Sequence, residues 1–135
     1  MLMHMSHRAT RVPTLIESRE RTERQIATAV VAALIGAGYI VAVYDGERYV
    51  QTPSAALGDV ARALLTVEED HLHVYLPTER GPQMTGWVQL RYGGHGWDTL
   101  ADYSPRLREA LTPALTLADE LRTRRASGNG KVVTS

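Results

Sequence analysis

This sequence predicts a single α+β domain: an antiparallel sheet of four to five strands with helices packed on one face, in the order α-β-β-α-β-β-(β)-α. Three observations lead there. Segments with apolar residues three and four apart take turns with segments in which every second residue is apolar, the two periods of helix and strand. Asp45-Gly46 stands between two β-rich runs, a strong hairpin signal. A chain of 135 residues suffices for one hydrophobic core and falls short of two.

Residues 1–12 and 125–135 carry no apolar period and are expected to be disordered, which leaves 13–124 as the domain. The first helix has two capping-box starts, Thr14 with Glu17 and Thr22 with Gln25. In its first half Glu17 and Arg21, Arg19 and Glu23, and Glu20 and Arg24 stand four apart, which reads as a solvated charged face. In its second half Ile26, Val30, Val31, Leu34 and Ile35 point to a core. Gly36 and Gly38 mark its stop. Residues 25–44 form a run of twenty without a charge, long enough to span a membrane. Only eight of them are Ile, Leu or Val, and the glycines divide the run into a helix end and a strand, so no span is expected.

The first hairpin pairs Tyr39–Tyr44 with Glu47–Thr52 across Asp45-Gly46, and Pro53 is expected to end it. Ser54 is a natural cap for a second helix whose buried face is Leu57, Val60, Ala61, Leu64 and Leu65. Beyond Glu68-Glu69-Asp70, the strand HLHVYL puts Leu72, Val74 and Leu76 on one face and His71, His73 and Tyr75 on the other. Pro77–Pro82 reads as a loop, followed by a strand from Thr85 to Tyr92. There Val88, Leu90 and Tyr92 oppose Trp87, Gln89 and Arg91. A turn at Gly93–Gly96, whose glycines supply positive φ angles, leads into a short strand, Trp97–Ala101. Ser104-Pro105 opens the last helix, striped by Leu107, Leu111, Leu115, Ala118 and Leu121 and ending near Arg124, with Pro113 kinking it or restarting it behind Thr112.

Gly86–Tyr103 concentrates Trp, Tyr, His, Asp and Gly as no other stretch does, and loops on a rigid scaffold are where function gathers. If the third and fourth strands pair as a hairpin, His71, His73 and Tyr75 share a face with Trp87, Gln89 and Arg91, and His95, Trp97 and Asp98 stand at its rim. These nine residues form the candidate binding surface. The enrichment of Trp, Tyr and Arg among interface anchors favours a protein partner, against the plainer reading that Trp87 and Trp97 complete a core or cover a sheet edge. His71 and His73, two apart on a strand, have a spacing that metal sites use, with His95 or Asp98 to supply a third ligand; two solvated His are the simpler account. His95, Asp98, Asp102 and Tyr103 contain the groups of an acid–base pair, but Asp102 and Ser104 sit where helix caps belong. Gly93-Gly94-His95-Gly96 has neither the following Lys-Ser/Thr nor the strand-to-helix setting of a phosphate loop.

Composition narrows the classes further. Net charge is zero, so nothing at whole-chain level draws the protein to nucleic acid or anionic membranes. Arg122, Arg124, Arg125 and Lys131 make a basic tail, which keeps nucleic-acid binding as an alternative that is not favoured. The absence of Cys excludes disulfide frameworks and thiolate metal sites and fits a reducing compartment. The opening residues lack the continuous apolar run of a signal peptide; cytoplasmic residence is expected, with no cofactor. Fourteen of the fifteen cations are Arg, a bias typical of GC-rich genomes.

The segments AGYIVAVYDGERYV, GWVQLRYGGHGWDTLADYS and ALTLADELR together resemble small proteins of unassigned activity carried by phages and plasmids of GC-rich bacteria. The resemblance runs from about Leu34 to Leu121. It implies a mobile-element setting, where small proteins without enzyme motifs bind host machinery, including defence systems; a neutral chain does not fit a DNA mimic. The sequence thus predicts a non-enzymatic, protein-binding module, with a small metal-dependent or acid–base enzyme built on His71, His73, His95 and Asp98 as the second reading.

Overall fold

The computed structural model describes Val12 and residues 14–134, with side chains as far as Arg125; the disorder expected for 1–12 lies, Val12 apart, outside these residues. The chain runs α1 (Leu15–Gly36), β1 (Ile40–Tyr44), β2 (Tyr49–Ser54), α2 (Leu57–Arg62), β3 (Glu69–Thr78), β4 (Gly81–Arg91), β5 (Leu100–Tyr103), a 3₁₀ turn (Pro105–Leu107) and α3 (Thr112–Thr134). All five strands form one antiparallel sheet in the order β2-β1-β3-β4-β5. This is the α+β arrangement expected, with the optional fifth strand present.

Thr14 starts α1. Its hydroxyl accepts the Glu17 N–H at 3.1 Å, and the Glu17 carboxylate accepts the Thr14 N–H at 3.3 Å, so the box satisfies two of the donors a helix N-terminus leaves open. Thr22 is mid-helix, its hydroxyl donating to the Ser18 carbonyl. At the other end Gly38 takes φ +97 while its N–H and that of Tyr39 donate to Ile35 and Leu34, turning the chain directly into β1. Among the described residues no helix is long and apolar enough to cross a membrane.

Ile26, Ala27, Val30, Val31 and Leu34 of α1 meet Val41, Val43, Leu72, Val74, Val88 and Leu90 of the sheet, closed by Val60, Leu64, Leu107, Leu111 and Ala114. Every buried strand residue in that set shares one face of the pleat. The core therefore lies between the helices and one side of the sheet, and the alternate residues are left on the other side.

Several boundaries differ from the sequence reading. The first hairpin closes through a four-residue loop, 45–48, because the Asp45 carboxylate accepts both the Glu47 and Arg48 N–H groups. That shifts β2 to Tyr49–Ser54 and places Pro53 inside it. Proline is tolerated there because β2 is an edge strand with irregular register. Ser54 ends β2 and its hydroxyl accepts the Ala56 N–H. The second helix is only six residues long, with Val60 as its buried residue; Leu57 is exposed, and Leu64, which is buried, and Leu65 both lie past its end.

Pro77–Pro82 is a continuation of the β3–β4 ribbon, with Pro77 opposite Pro82 and Thr78 opposite Gly81. Leu76, expected inside, is exposed, since β1 pairs with β3 only as far as Tyr75. The fifth strand begins at Leu100, three residues later than expected, because Thr99 is spent closing the preceding turn: both its N–H and its hydroxyl donate to the Gly96 carbonyl. Ser104-Pro105 opens a 3₁₀ turn alone, and α3 starts afresh with Pro113 in its first turn. It is helical to Thr134, beyond the end near Arg124 that the apolar stripe indicates.

Candidate functional site

The register of β3 with β4 decides which of the suspected residues meet. Glu69 stands opposite Arg91, His71 opposite Gln89 and His73 opposite Trp87, all on the face away from the helices. Tyr75 follows on the same face, with Met84 opposite it across a bulge. Six of the nine suspected residues, His71, His73, Tyr75, Trp87, Gln89 and Arg91, thus share one surface.

Two residues absent from the sequence reading complete it. Tyr44 pairs with His71 across β1–β3, and Tyr49 pairs with Tyr44 across the first hairpin. The Tyr44 ring stacks on His73 with centroids 5.3 Å apart, and Tyr49 meets both Tyr44 (5.2 Å) and His73 (5.3 Å) edge-on. Ala42 lies opposite His73 and is fully buried, so a small side chain provides the floor on which the rings pack. Tyr44 was legible in principle: it has the opposite parity to Val41 and Val43, which the same strand buries.

Polar contacts order this surface. The Tyr49 hydroxyl is 2.7 Å from His73 Nδ1 and 3.5 Å from the Tyr75 hydroxyl. This contact with Tyr49, with burial second, pushes the Tyr75 phenol up to about 12. Glu69 receives His71 Nε2 at 2.9 Å and Arg91 Nε at 3.4 Å; a hydrogen bond from Gln89, then that from Arg91, holds its carboxyl below the ordinary value. Trp87 remains 40% exposed and Tyr49 47%, which makes them the aromatic rings of this face most available to a partner.

His73 lies within this network. Burial, and then the neighbouring His71, hold its imidazole below the ordinary 6.5. A base whose folded value is depressed contributes stability that is present above the unfolded value and lost as pH falls through the folded one. Acidification below about 6.5 should therefore weaken the fold through His73, a slope that His73→Asn removes. Urea unfolding of both proteins across that pH range checks it, and an unchanged slope in the variant contradicts it.

The other three suspected residues lie in the turn beyond β4, where Asp98 lines a small cavity with Arg91. His95 stacks on Trp97 at 4.8 Å, and the Arg125 guanidinium of α3 lies 5.6 Å from the centre of the Trp97 ring. Trp97 packs against the helix-side core, which is the plainer role weighed for it. Asp98 is a turn residue: its carboxylate accepts the N–H groups of His95 and Gly96, and a Cβ on Gly94 would stand 2.5 Å from it. The turn also docks on α1. Gly96 takes φ +98, and a Cβ there would lie 3.1 Å from Thr22. Ser104, read as a cap, instead uses its hydroxyl to accept the Trp87 N–H at 2.9 Å and tie β5 to β4.

Among the described residues no group of three or more His, Cys, Asp or Glu is placed to hold a metal ion, and His71, His73, His95 and Asp98 do not converge. On the helix side, however, lies a buried polar network. Tyr92 donates to Asp70 Oδ2 at 2.6 Å, the Leu65 N–H donates to the same oxygen at 2.9 Å, and Glu23 accepts the Gly93 N–H at 2.6 Å. Burial raises the Asp70 carboxyl above its ordinary value, and burial followed by Asp70 itself raises the Tyr92 phenol. Glu23, read as part of a solvated face, is 3% exposed because the Gly93–Gly96 turn lies over it.

Fold and site together define a small α+β protein whose helices bury one face of an antiparallel sheet and whose other face carries an ordered array of aromatic side chains. No family model matches the chain, and no curated protein or solved structure matches it significantly.

Proposed function

We propose that the protein is a non-enzymatic binding module that holds a protein partner on the sheet face carrying Tyr44, Tyr49, His71, His73, Tyr75, Trp87 and Arg91. The observation that carries this reading is the aromatic array itself. Tyr49 and Trp87 are exposed there, and the Tyr44, Tyr49 and His73 rings pack on one another, so these three have little side-chain freedom left to lose on binding. Such anchors, ringed by polar groups, are the composition of interface hot spots. Tyr49, His73 and Tyr75, and Glu69, His71 and Arg91, are joined to one another by polar contacts, and the turn at Gly93–Gly96 is accounted for by backbone geometry, which leaves binding as the simplest use of the surface.

The mobile-element resemblance supports an accessory role, such as inhibition of a host defence system, within the same reading. A photo-crosslinking residue at position 87 tests it in cells that make the protein. An adduct with a defined partner is expected from position 87 and none from position 109 on the helix side; the reverse pattern contradicts the proposal.

A further inference from the structure

On the helix side, opposite the aromatic face, a cleft of about 930 Å³ opens between the first half of α1, the loop from α2 to β3 and the end of β4. That volume lies within the range of small-molecule sites. Its wall has three features that packing alone does not favour. Glu23 lines the cleft while almost fully buried, with the Gly93 N–H as a close partner, and burial of a charge is costly unless it is fully paired. The neighbouring Arg19 Nε stands 3.9 Å from the Glu23 carboxylate and is buried with no hydrogen-bond partner, an arrangement rare in native structures. Leu65, also lining the cleft, is held at φ +64, and left-handed non-glycine residues concentrate at ligand-holding sites.

The lining charges select the ligand. Glu17, Glu20, Glu23 and Glu68 face the cleft, which disfavours phosphates and dicarboxylates. Arg19, Arg21 and Arg24 face it as well, which disfavours a bare divalent cation. A ligand carrying both charges on adjacent atoms satisfies this wall: its carboxylate meets the one-third-exposed Arg19 guanidinium and its ammonium meets Glu23. Leu65, Val67 and the Tyr92 ring offer apolar surface to a side chain. We propose that this cleft binds a small zwitterion of the α-amino-acid type, with an apolar side chain, through Arg19 and Glu23. The site is independent of the aromatic face and of any partner held there.

Calorimetric titration of the full chain with L-leucine, 4-methylpentanoate (which lacks the ammonium) and 3-methylbutylamine (which lacks the carboxylate) tests this. Saturable binding of leucine is expected, at least tenfold weaker for each truncated compound and for Arg19→Met. Equal binding of the three compounds overturns the proposal, as does the absence of saturable heat with leucine up to roughly 10 mM, above the usual range of metabolite affinities. Should Arg19→Met not fold, amide chemical shifts of the wild-type protein decide. Leucine should move those of Leu65, Tyr92 and Gly93, and shifts confined to other regions overturn the site.

Discussion

Replacing Asp70 with Ala should destabilise the fold by about 2–5 kcal/mol, because two donors lose their acceptor at once. The Leu65 N–H and the Tyr92 hydroxyl both end on Asp70 Oδ2, and Asp70 is fully buried. Each donor left unpaired away from water costs about 1–3 kcal/mol. Urea unfolding measures the loss, and a change within about 0.5 kcal/mol, as for an ordinary surface site, contradicts the network.

The same residue gives a pH signature of unusual sign. Its other oxygen, Oδ1, is buried without a partner, so the charged form is poorly solvated, and the carboxyl is raised from the ordinary 3.8 chiefly by burial. A raised folded value means that the folded state keeps a proton the unfolded chain has released. The contribution of Asp70 is therefore fully present below about 3.8 and lost as pH rises through the raised value. Asp45 and Glu69, both lowered, act in the opposite sense over the acid range. Asp70→Asn should abolish the first effect and leave the second.

Gly86→Val should destabilise by about 1–3 kcal/mol through overpacking. A Cβ at position 86 would stand 2.9 Å from Leu107 Cδ1 and 3.1 Å from the Ser104 hydroxyl. These two residues seat the 3₁₀ turn and the end of β5 on β4: Ser104 accepts the Trp87 N–H and donates its own N–H to the Trp87 carbonyl. The substitution should thus also accelerate exchange of the Trp87 amide hydrogen. Unfolding at the wild-type urea midpoint, with that amide still protected, contradicts this packing.

Most of the fold was legible because it follows from period. The stripe in α1 and the alternation in β3 and β4 name the core almost residue by residue, and the face shared by His73 and Trp87 follows from that alternation once a hairpin is assumed. Where the reading failed, a side-chain hydrogen bond had overridden the signal of residue type. Asp45 widened the first turn, Thr99 delayed β5, and Ser104 abandoned its cap for β4.

The site was half legible for the same reason. Counting by twos joins His71, His73 and Tyr75 to Trp87, Gln89 and Arg91. It says nothing of which strand lies beside β3 on the other edge, so Tyr44 and Tyr49 were missed. Proximity in sequence is a poor guide in another way: His95 and Trp97 follow Arg91 closely but lie toward α1 and α3, whereas Asp98 lines a small cavity together with Arg91. Asp70 carried a usable signal, since it has the parity of Leu72 and Val74 and so belongs to the buried face. Glu23 carried none, because its burial depends on a turn 70 residues away in sequence.

The function proposed for the aromatic sheet face is to hold a partner. Its most direct test is the affinity of the cross-linked partner, once purified, for the double variant Trp87→Ala/Arg91→Ala. A loss of at least tenfold, about 1.4 kcal/mol, with an unchanged circular dichroism spectrum and urea midpoint, is the result expected. Wild-type affinity in a folded double variant would contradict it.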